Sequence, residues 1–149
     1  MKKIILVILF SIGLINLNAQ VQNPVSWKYE AKKIGAIYNV IITATVNNHW
    51  HIYSQNTGKN GPVPTTITFK TNPLITLVGK VKETGKLEKI YDKNFQTDVL
   101  FYSNKVVFTQ AIKEKAGIKT NISGTIEYMV CDDEKCLPPT KKTFDIKLP

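Results

Sequence analysis

A hydrophobic period of two residues is the sequence feature that most restricts how this chain folds. Apolar or small residues occupy every second position of residues 40–46 and of residues 122–130. This alternation is typical of half-buried β-strands, whose successive side chains point to opposite faces. Similar short runs occur at residues 26–33, 50–53, 66–70, 75–82, 99–102, 105–112 and 143–148, and turn residues stand at positions 34–35, 71–73, 103–104 and 116–117. Many short strands without a long amphipathic helix predict an all-β sandwich.

The first residues have the composition of an export signal. Lys2 and Lys3 precede an apolar run at positions 4–14, and small Ala19 ends a cleavage site. The run is shorter than the about 20 residues that span a bilayer, which favours cleavage over an uncleaved membrane anchor. The sequence predicts a signal peptide over residues 1–19 and export to the periplasm. Residues 20–149 suffice for one domain with a hydrophobic core.

The charge of the chain is strongly positive, but its composition argues against a nucleic-acid partner. The formal net charge is +9, and all 20 basic residues are lysine. The planar fork with which arginine grips phosphates and reads guanine is absent. Because the lysines are scattered along the chain, we interpret the charge as a solvated surface and expect no binding to nucleic acid.

Two polar loops interrupt the strand pattern. The first, at positions 54–64, is rich in glycine, proline and asparagine, and the second, at positions 92–98, carries one aromatic residue, Phe95. A lone ring among polar side chains either packs against the edge of the sandwich or covers a functional group. The sequence leaves both interpretations open.

The two cysteines of the chain, Cys131 and Cys136, have four residues between them. In an exported protein such a pair is either a structural disulfide or a redox centre. The alternation of the preceding strand places Cys131 on the face that looks away from the core, where we expect it to be reachable. A disulfide that closes a loop of about six residues stabilises by only about 2 kcal/mol, which favours the redox interpretation.

The residues between the cysteines indicate a direction of electron flow. Asp132, Asp133 and Glu134 place negative charge beside the sulfurs, and Lys135 opposes them. Negative charge disfavours the thiolate, and a dithiol whose thiolate is not stabilised favours its disulfide form. We therefore expect the reduced protein to act as a reductant.

Positions 128–139 resemble a known family. A strand ends in a cysteine, an acidic interval leads to the second cysteine, and a leucine and two prolines follow. This pattern is similar to the N-terminal periplasmic domain of the thiol:disulfide interchange protein DsbD, and weaker similarity extends over most of residues 20–149. The resemblance implies an immunoglobulin-like β-sandwich that accepts electrons from a thioredoxin-like domain and passes them to oxidised periplasmic partners.

The same resemblance assigns the site residues. They are the redox pair Cys131 and Cys136, the cap residues Asn94 and Phe95, and the wall residues His51 and Tyr53. The chain has one residue fewer between its cysteines than the best-known member of the family, and its cap is less acidic. Since no membrane or thioredoxin-like domain follows Pro149, we expect a separate membrane electron donor. Which cysteine attacks first is left open.

A metal site has weaker support. His49 and His51, the two histidines of the chain, would share a strand face and could bind Zn²⁺ together with a thiol. Without a clear third ligand, a polar strand face is the better interpretation. We expect no metal, no other cofactor and a monomeric protein.

Two hypotheses of different classes remain. The first is an exported thiol–disulfide oxidoreductase in a single immunoglobulin-like domain, which relays electrons through Cys131 and Cys136. The alternative is a non-catalytic immunoglobulin-like binding or assembly module with a structural disulfide. Replacing both cysteines distinguishes them, because a relay would lose electron transfer and stay folded, whereas a stapled module would lose stability.

Overall fold

A computed structural model describes residues 22–58, 60–115 and 118–149. The predicted signal peptide, residues 1–19, lies outside these ranges. The described residues form nine strands and two packed sheets, so the predicted all-β sandwich is confirmed. In these ranges no helix is long and apolar enough to cross a lipid bilayer.

The larger sheet contains six antiparallel strands and carries both the core and the cysteines. In spatial order they are β1 (Val25–Ile34), β2 (Ile37–Val46), β6 (Thr97–Glu114), β3 (His51–Tyr53) and β8 (Val130–Cys131), and β5 (Ile75–Asp92) pairs with β6. β5 and β6 form one long hairpin of two 18-residue strands. The tip of this hairpin carries Phe95.

The smaller sheet lies against the first and closes the core. Its strands are β4 (Thr66–Phe69), β7 (Asn121–Tyr128) and β9 (Thr140–Lys147), in the order β4-β7-β9. The predicted alternation is confirmed on both sides of the sandwich, because every second side chain is buried. These buried residues are Val40, Ile42, Ala44 and Val46 in β2, Ile122, Ile126 and Tyr128 in β7, and Val130 in β8.

The turn predicted at Ser103 and Asn104 is wrong, because β6 runs through both residues. Asn104 has a φ of 68°, in the left-handed region, and it bends the strand without reversing it. Before Asn104, β6 pairs with β3, and after it β6 pairs with β2. The bend therefore allows one long strand to serve two neighbours, and the short β3 lies beside the cysteine-bearing β8 as a result.

The strand predicted at residues 75–82 is too short, since β5 continues to Asp92. Its second half is rich in lysine and glutamate, which hides the strand pattern. Lysines at positions 80, 82, 86 and 89 are exposed along β5. Charged side chains on an outer strand of this kind oppose pairing with other chains.

Candidate functional site

The cysteines face each other across a tight turn at the end of β8. Cys131 and Cys136 form a β-bridge and a disulfide, with their Cα atoms 4.0 Å apart. On either side, the Asp132 amide donates to the Lys135 carbonyl at 2.9 Å and the Leu137 amide donates to the Val130 carbonyl at 2.9 Å. Backbone hydrogen bonds therefore close the hairpin together with the disulfide.

The side chain of Asp132 shapes the turn between the cysteines. Its Oδ1 accepts hydrogen bonds from the amides of Glu134 at 2.9 Å and Lys135 at 2.7 Å. These two bonds stabilise the carboxylate and lower the pKa of Asp132. This aspartate thus has a local structural task besides placing negative charge near the sulfurs.

The two sulfur-bearing residues differ sharply in exposure. Cys131 is 2% exposed, whereas Cys136 lies on the surface. The prediction that Cys131 is reachable is therefore wrong, although it does lie apart from the main core. A second, smaller cluster of Tyr53, Val99 and Phe101 buries it on the outer side of the sheet. A pattern of alternation cannot reveal this cover, because its residues come from β3 and β6.

The register of the sheet collects the wall residues on one face. His51 pairs with Cys131 across β3 and β8, and Tyr53 follows two positions later on the same face. The Tyr53 hydroxyl donates to Cys131 Sγ at 3.1 Å and lies 3.2 Å from His51 Nε2. The imidazole also packs against Phe101, with the ring centroids 4.5 Å apart. Both wall residues thus lie beside the buried sulfur, while their roles remain a prediction.

Burial shifts the titration of both wall residues. Loss of solvent, reinforced by the charge of Asp92, raises the pKa of Tyr53 to about 12. Loss of solvent lowers the pKa of His51, and Asp133, Asp132, Asp92 and Glu88 partly oppose this change. At neutral pH the site therefore holds a protonated phenol and a neutral imidazole.

Phe95 and Asn94 lie in the turn between β5 and β6. The ring of Phe95 is partly buried and packs against the small cluster that contains Cys131, whereas Asn94 is exposed. The predicted polar loop at positions 92–98 is shorter than expected, because β5 ends at Asp92 and β6 begins at Thr97. The structure therefore brings both cap residues to the cysteines, and the capping role itself stays a prediction.

Asp92 is a site residue that sequence reasoning missed. Its Oδ1 accepts hydrogen bonds from the amides of Asn94 at 2.8 Å and Phe95 at 3.3 Å. Its charge also reaches Tyr53 and His51. An aspartate that opens a short polar turn is a recognisable signal for this local geometry, so the position could have been found.

A cavity of about 320 Å³ lies over the disulfide. His51, Tyr53, Asp92, Asn94, Phe95 and the segment from Cys131 to Cys136 line it, together with Ile90. Glu88 and Asp133 line an adjoining cavity beside His51. The surroundings of the sulfurs are thus acidic, although the chain as a whole has a net charge of +9.

The prediction that the two histidines share a strand face is wrong. β3 begins at His51, and His49 lies in the preceding turn, exposed and with a φ of 69°. Among the residues that the structure describes, no three His, Cys, Asp or Glu side chains are grouped closely enough to hold a metal ion. The imidazole of His51 is directed to Tyr53 instead.

The chain is similar in sequence to one known family and in fold to several solved structures. Residues 19–148 match the family model described as the N-terminal part of the thiol:disulfide interchange protein DsbD. No curated protein sequence gives a significant match.

Among solved structures, the N-terminal periplasmic domain of ScsB from Proteus mirabilis superposes with a TM-score of 0.62 at 15% identity, covering 87% of this chain and 48% of that one. This chain therefore spans about half the length of the ScsB chain. The reduced DsbD N-terminal domain of Neisseria meningitidis gives a TM-score of 0.54 at 16% identity, covering 81% and 84%. The same domain in complex with the PilB N-terminal domain gives 0.52 at 13% identity, covering 80% of both chains. These likenesses establish an immunoglobulin-like β-sandwich.

Proposed function

Because this chain belongs to the family of DsbD N-terminal domains, we propose that it is a periplasmic dithiol/disulfide relay. It accepts electrons from a thioredoxin-like or membrane reductase and reduces the disulfides of periplasmic partners. The observation that carries this proposal is the asymmetry of the disulfide, since Cys136 is exposed in a surface turn and Cys131 is buried beneath it. A partner can therefore reach one sulfur while the other is kept inside the domain.

The exchange begins when a thiolate of the donor attacks Cys136 Sγ. The bond between Cys131 and Cys136 breaks, and Cys131 leaves with the electron pair as a thiolate. The second thiolate of the donor then attacks the donor sulfur of the mixed disulfide and releases Cys136. The donor ends as a disulfide and the domain as a dithiol. The domain reduces its acceptor by the same two steps in reverse, with Cys136 as the attacking thiolate.

A purely structural disulfide is less consistent with the site. A crosslink around about six residues stabilises by only about 2 kcal/mol. The hydrogen bonds between Asp132 and Lys135 and between Val130 and Leu137 already close the hairpin. The exposed position of Cys136 also contrasts with the buried location expected of a bond that serves only stability.

The surroundings of Cys131 favour the disulfide form of the pair. A thiolate at this position would lose most of its solvation, because the residue is 2% exposed. The neighbouring carboxylates of Asp92, Asp132 and Asp133 would repel it. A dithiol that is unstable relative to its disulfide is a good electron donor, so we expect the reduced domain to act as a reductant.

The acidic surface around Cys136 restricts the partners that can dock. Glu88, Asp92, Asp132, Asp133 and Glu134 line the two cavities beside the disulfide. Opposite charges around two reacting sulfurs speed encounter, and salt weakens this effect. We propose that the partner is a thioredoxin-like protein with lysine or arginine around its own cysteine, which docks on a single copy of this domain.

Trapping with single cysteine variants tests the proposal. Cys131→Ser leaves the exposed Cys136 free and removes the resolving thiol of the domain. With a thioredoxin-like protein whose second cysteine is replaced by serine and whose attacking cysteine carries thionitrobenzoate, this variant should release thionitrobenzoate and accumulate a covalent complex on non-reducing gels. Cys136→Ser retains the buried Cys131, and it should trap far less. Absence of a covalent complex with both variants would refute the relay.

The double variant Cys131→Ser/Cys136→Ser serves as the control for stability. It should remain folded, with a loss of about 2 kcal/mol in the free energy of unfolding. It should also lose all disulfide exchange. Unfolding of the double variant at ambient temperature would support the alternative, a binding module that depends on its disulfide.

A further inference from the structure

A hydrogen-bonded chain leads from the buried sulfur to a partly buried imidazole. The Tyr53 hydroxyl lies between Cys131 Sγ, at 3.1 Å, and His51 Nε2, at 3.2 Å. A phenolic hydroxyl donates one hydrogen bond and accepts others, so it can receive a proton on one side while it releases its own on the other. Since Cys131 is 2% exposed, bulk water has little access to its sulfur.

We propose that Tyr53 and His51 form a proton relay that deprotonates Cys131 when this cysteine closes the disulfide. The proposal rests on the proposed function and concerns its second step. After Cys136 has formed a mixed disulfide with the acceptor, the Cys131 sulfur attacks Cys136 Sγ. The bond between Cys136 and the acceptor breaks, and the acceptor sulfur leaves with the electron pair. The Cys131 proton passes to the Tyr53 oxygen while the Tyr53 proton passes to His51 Nε2.

The electrostatics of the site suit this direction of transfer. Burial lowers the pKa of His51, so the imidazole is neutral near pH 7 and has a free site for a proton. Burial and Asp92 raise the pKa of Tyr53 to about 12, so the phenol conducts the proton without remaining ionised.

Carboxylates surround the imidazole on two sides and stabilise the imidazolium that forms. They are Asp132 and Asp133 in the turn after β8, and Glu88 and Asp92 in β5. The turn also carries the opposing charge of Lys135. Tyr53 touches the reacting sulfur and is the catalytic residue of the relay, whereas His51 acts through it and is oriented by Phe101.

The reaction of the reduced domain with Ellman's reagent isolates the proposed step without a protein partner. Attack by Cys136 releases one thionitrobenzoate and leaves a second attached to Cys136. Attack by Cys131 then releases the second, in an intramolecular step whose rate is independent of reagent concentration. The wild-type rate of this second release should be flat around and above neutral pH and fall only in acid, because burial lowers the pKa of His51 and the imidazole is protonated only there.

His51→Gln removes the proton acceptor and keeps a polar side chain of similar size. General bases accelerate proton transfer by roughly 100-fold or more, and a thiol that ionises partly by itself gains less, so we expect the second release to slow by about 10- to 100-fold at pH 7. Its rate should then rise about tenfold per pH unit, since only the thiolate fraction reacts. Tyr53→Phe interrupts the relay at its centre and should give the same profile.

The matched control is His49→Asn. His49 is the other histidine of the chain, lies exposed in the turn before β3 and has a φ of 69°, which asparagine tolerates. This variant should keep the wild-type rate and pH profile.

Three results would overturn the relay or its basis. The relay would be refuted if His51→Gln released the second thionitrobenzoate at the wild-type rate. It would also be refuted if Tyr53→Phe slowed this release and His51→Gln did not. Release of only one thionitrobenzoate by the wild-type protein would instead show that the cysteines do not cycle, which refutes the proposed function itself.

Discussion

Truncation of Phe95 separates a cap from an ordinary core side chain. The ring packs against the small cluster of Tyr53, Val99, Phe101 and Cys131 but stays partly exposed. Truncation of a fully buried phenylalanine to alanine lowers the free energy of unfolding by about 3–5 kcal/mol. Because the Phe95 ring is only partly buried, we expect about half of this loss, or about 2 kcal/mol. For a domain of this length, that loss lowers the melting temperature by roughly 6–10 °C.

Truncation of Phe95 should also make the Cys131 sulfur much more reactive. In a Cys136→Ser background Cys131 is the sole thiol, and its burial means that alkylation requires a local opening. If the ring closes this opening, loss of about 2 kcal/mol raises the population of the open form roughly 30-fold, since 1.4 kcal/mol corresponds to about a factor of ten. We therefore expect iodoacetamide to modify Cys131 about 30-fold faster in Phe95→Ala, as followed by intact-protein mass spectrometry.

Val99→Ala is the matched control for this experiment. Val99 belongs to the same cluster and is fully buried, but its side chain faces Gly61, on the side of the 54–64 loop. Removal of two methyl groups should cost about 2 kcal/mol without uncovering the sulfur. Equal acceleration of alkylation in the two variants would show that Phe95 contributes only general stability, and the cap hypothesis would then be rejected.

Three further predictions concern the frame around the site. Gly124→Ala should lower the free energy of unfolding in urea by roughly 3 kcal/mol, because the added Cβ would overlap the Thr68 carbonyl oxygen. Gly58→Ala is the control and should be tolerated, since the nearest atom to its added Cβ lies 3.9 Å away. Glu83→Gln should cost about 2 kcal/mol and speed amide exchange in the loop after β3, since this carboxylate accepts hydrogen bonds from Ser54, Gln55 and Asn56. The pKa of Asp132 is lower in the folded state, so its carboxylate contributes to stability above about pH 4 and this contribution is lost as the pH falls further. In Asp132→Asn the urea midpoint should therefore depend less steeply on pH in that range. An unchanged slope would contradict the assignment.

The sandwich was predictable because its signal is local. Alternation in β2 and β7 reflects burial against the opposite sheet, and both strands keep this pattern along their length. The part of β5 beyond residue 82 could not be predicted from the sequence. Its backbone forms hydrogen bonds with β6, but many of its side chains are charged and exposed, so no alternation of apolar residues marks the strand. The prediction of a turn at Ser103 and Asn104 is wrong, because Asn104, in the left-handed region, bends a strand that is paired on both sides.

The sequence could predict which residues lie around the cysteines, but it could not predict how exposed each cysteine is. Resemblance placed the wall and the cap beside the cysteines, and the structure brings them together. Whether a sulfur is reachable depends on the packing of distant segments, which a sequence pattern does not encode. Cys131 is buried by Phe101 and Tyr53 from two other strands, whereas Cys136 is exposed at the end of the turn that follows β8.

The two hydrophobic clusters of the sandwich are separate, which suits the proposed redox role of the cysteines. The main core lies between the sheets and contains Val130, while the next residue, Cys131, belongs to the small cluster on the outer side. Adjacent residues of one strand thus belong to the core and to the candidate site, because successive side chains of a strand point to opposite faces. We therefore expect that breaking the disulfide changes contacts of the turn and of the small cluster and leaves the side chains between the sheets in place. On this expectation, the proposed alternation between dithiol and disulfide would not require the core to repack.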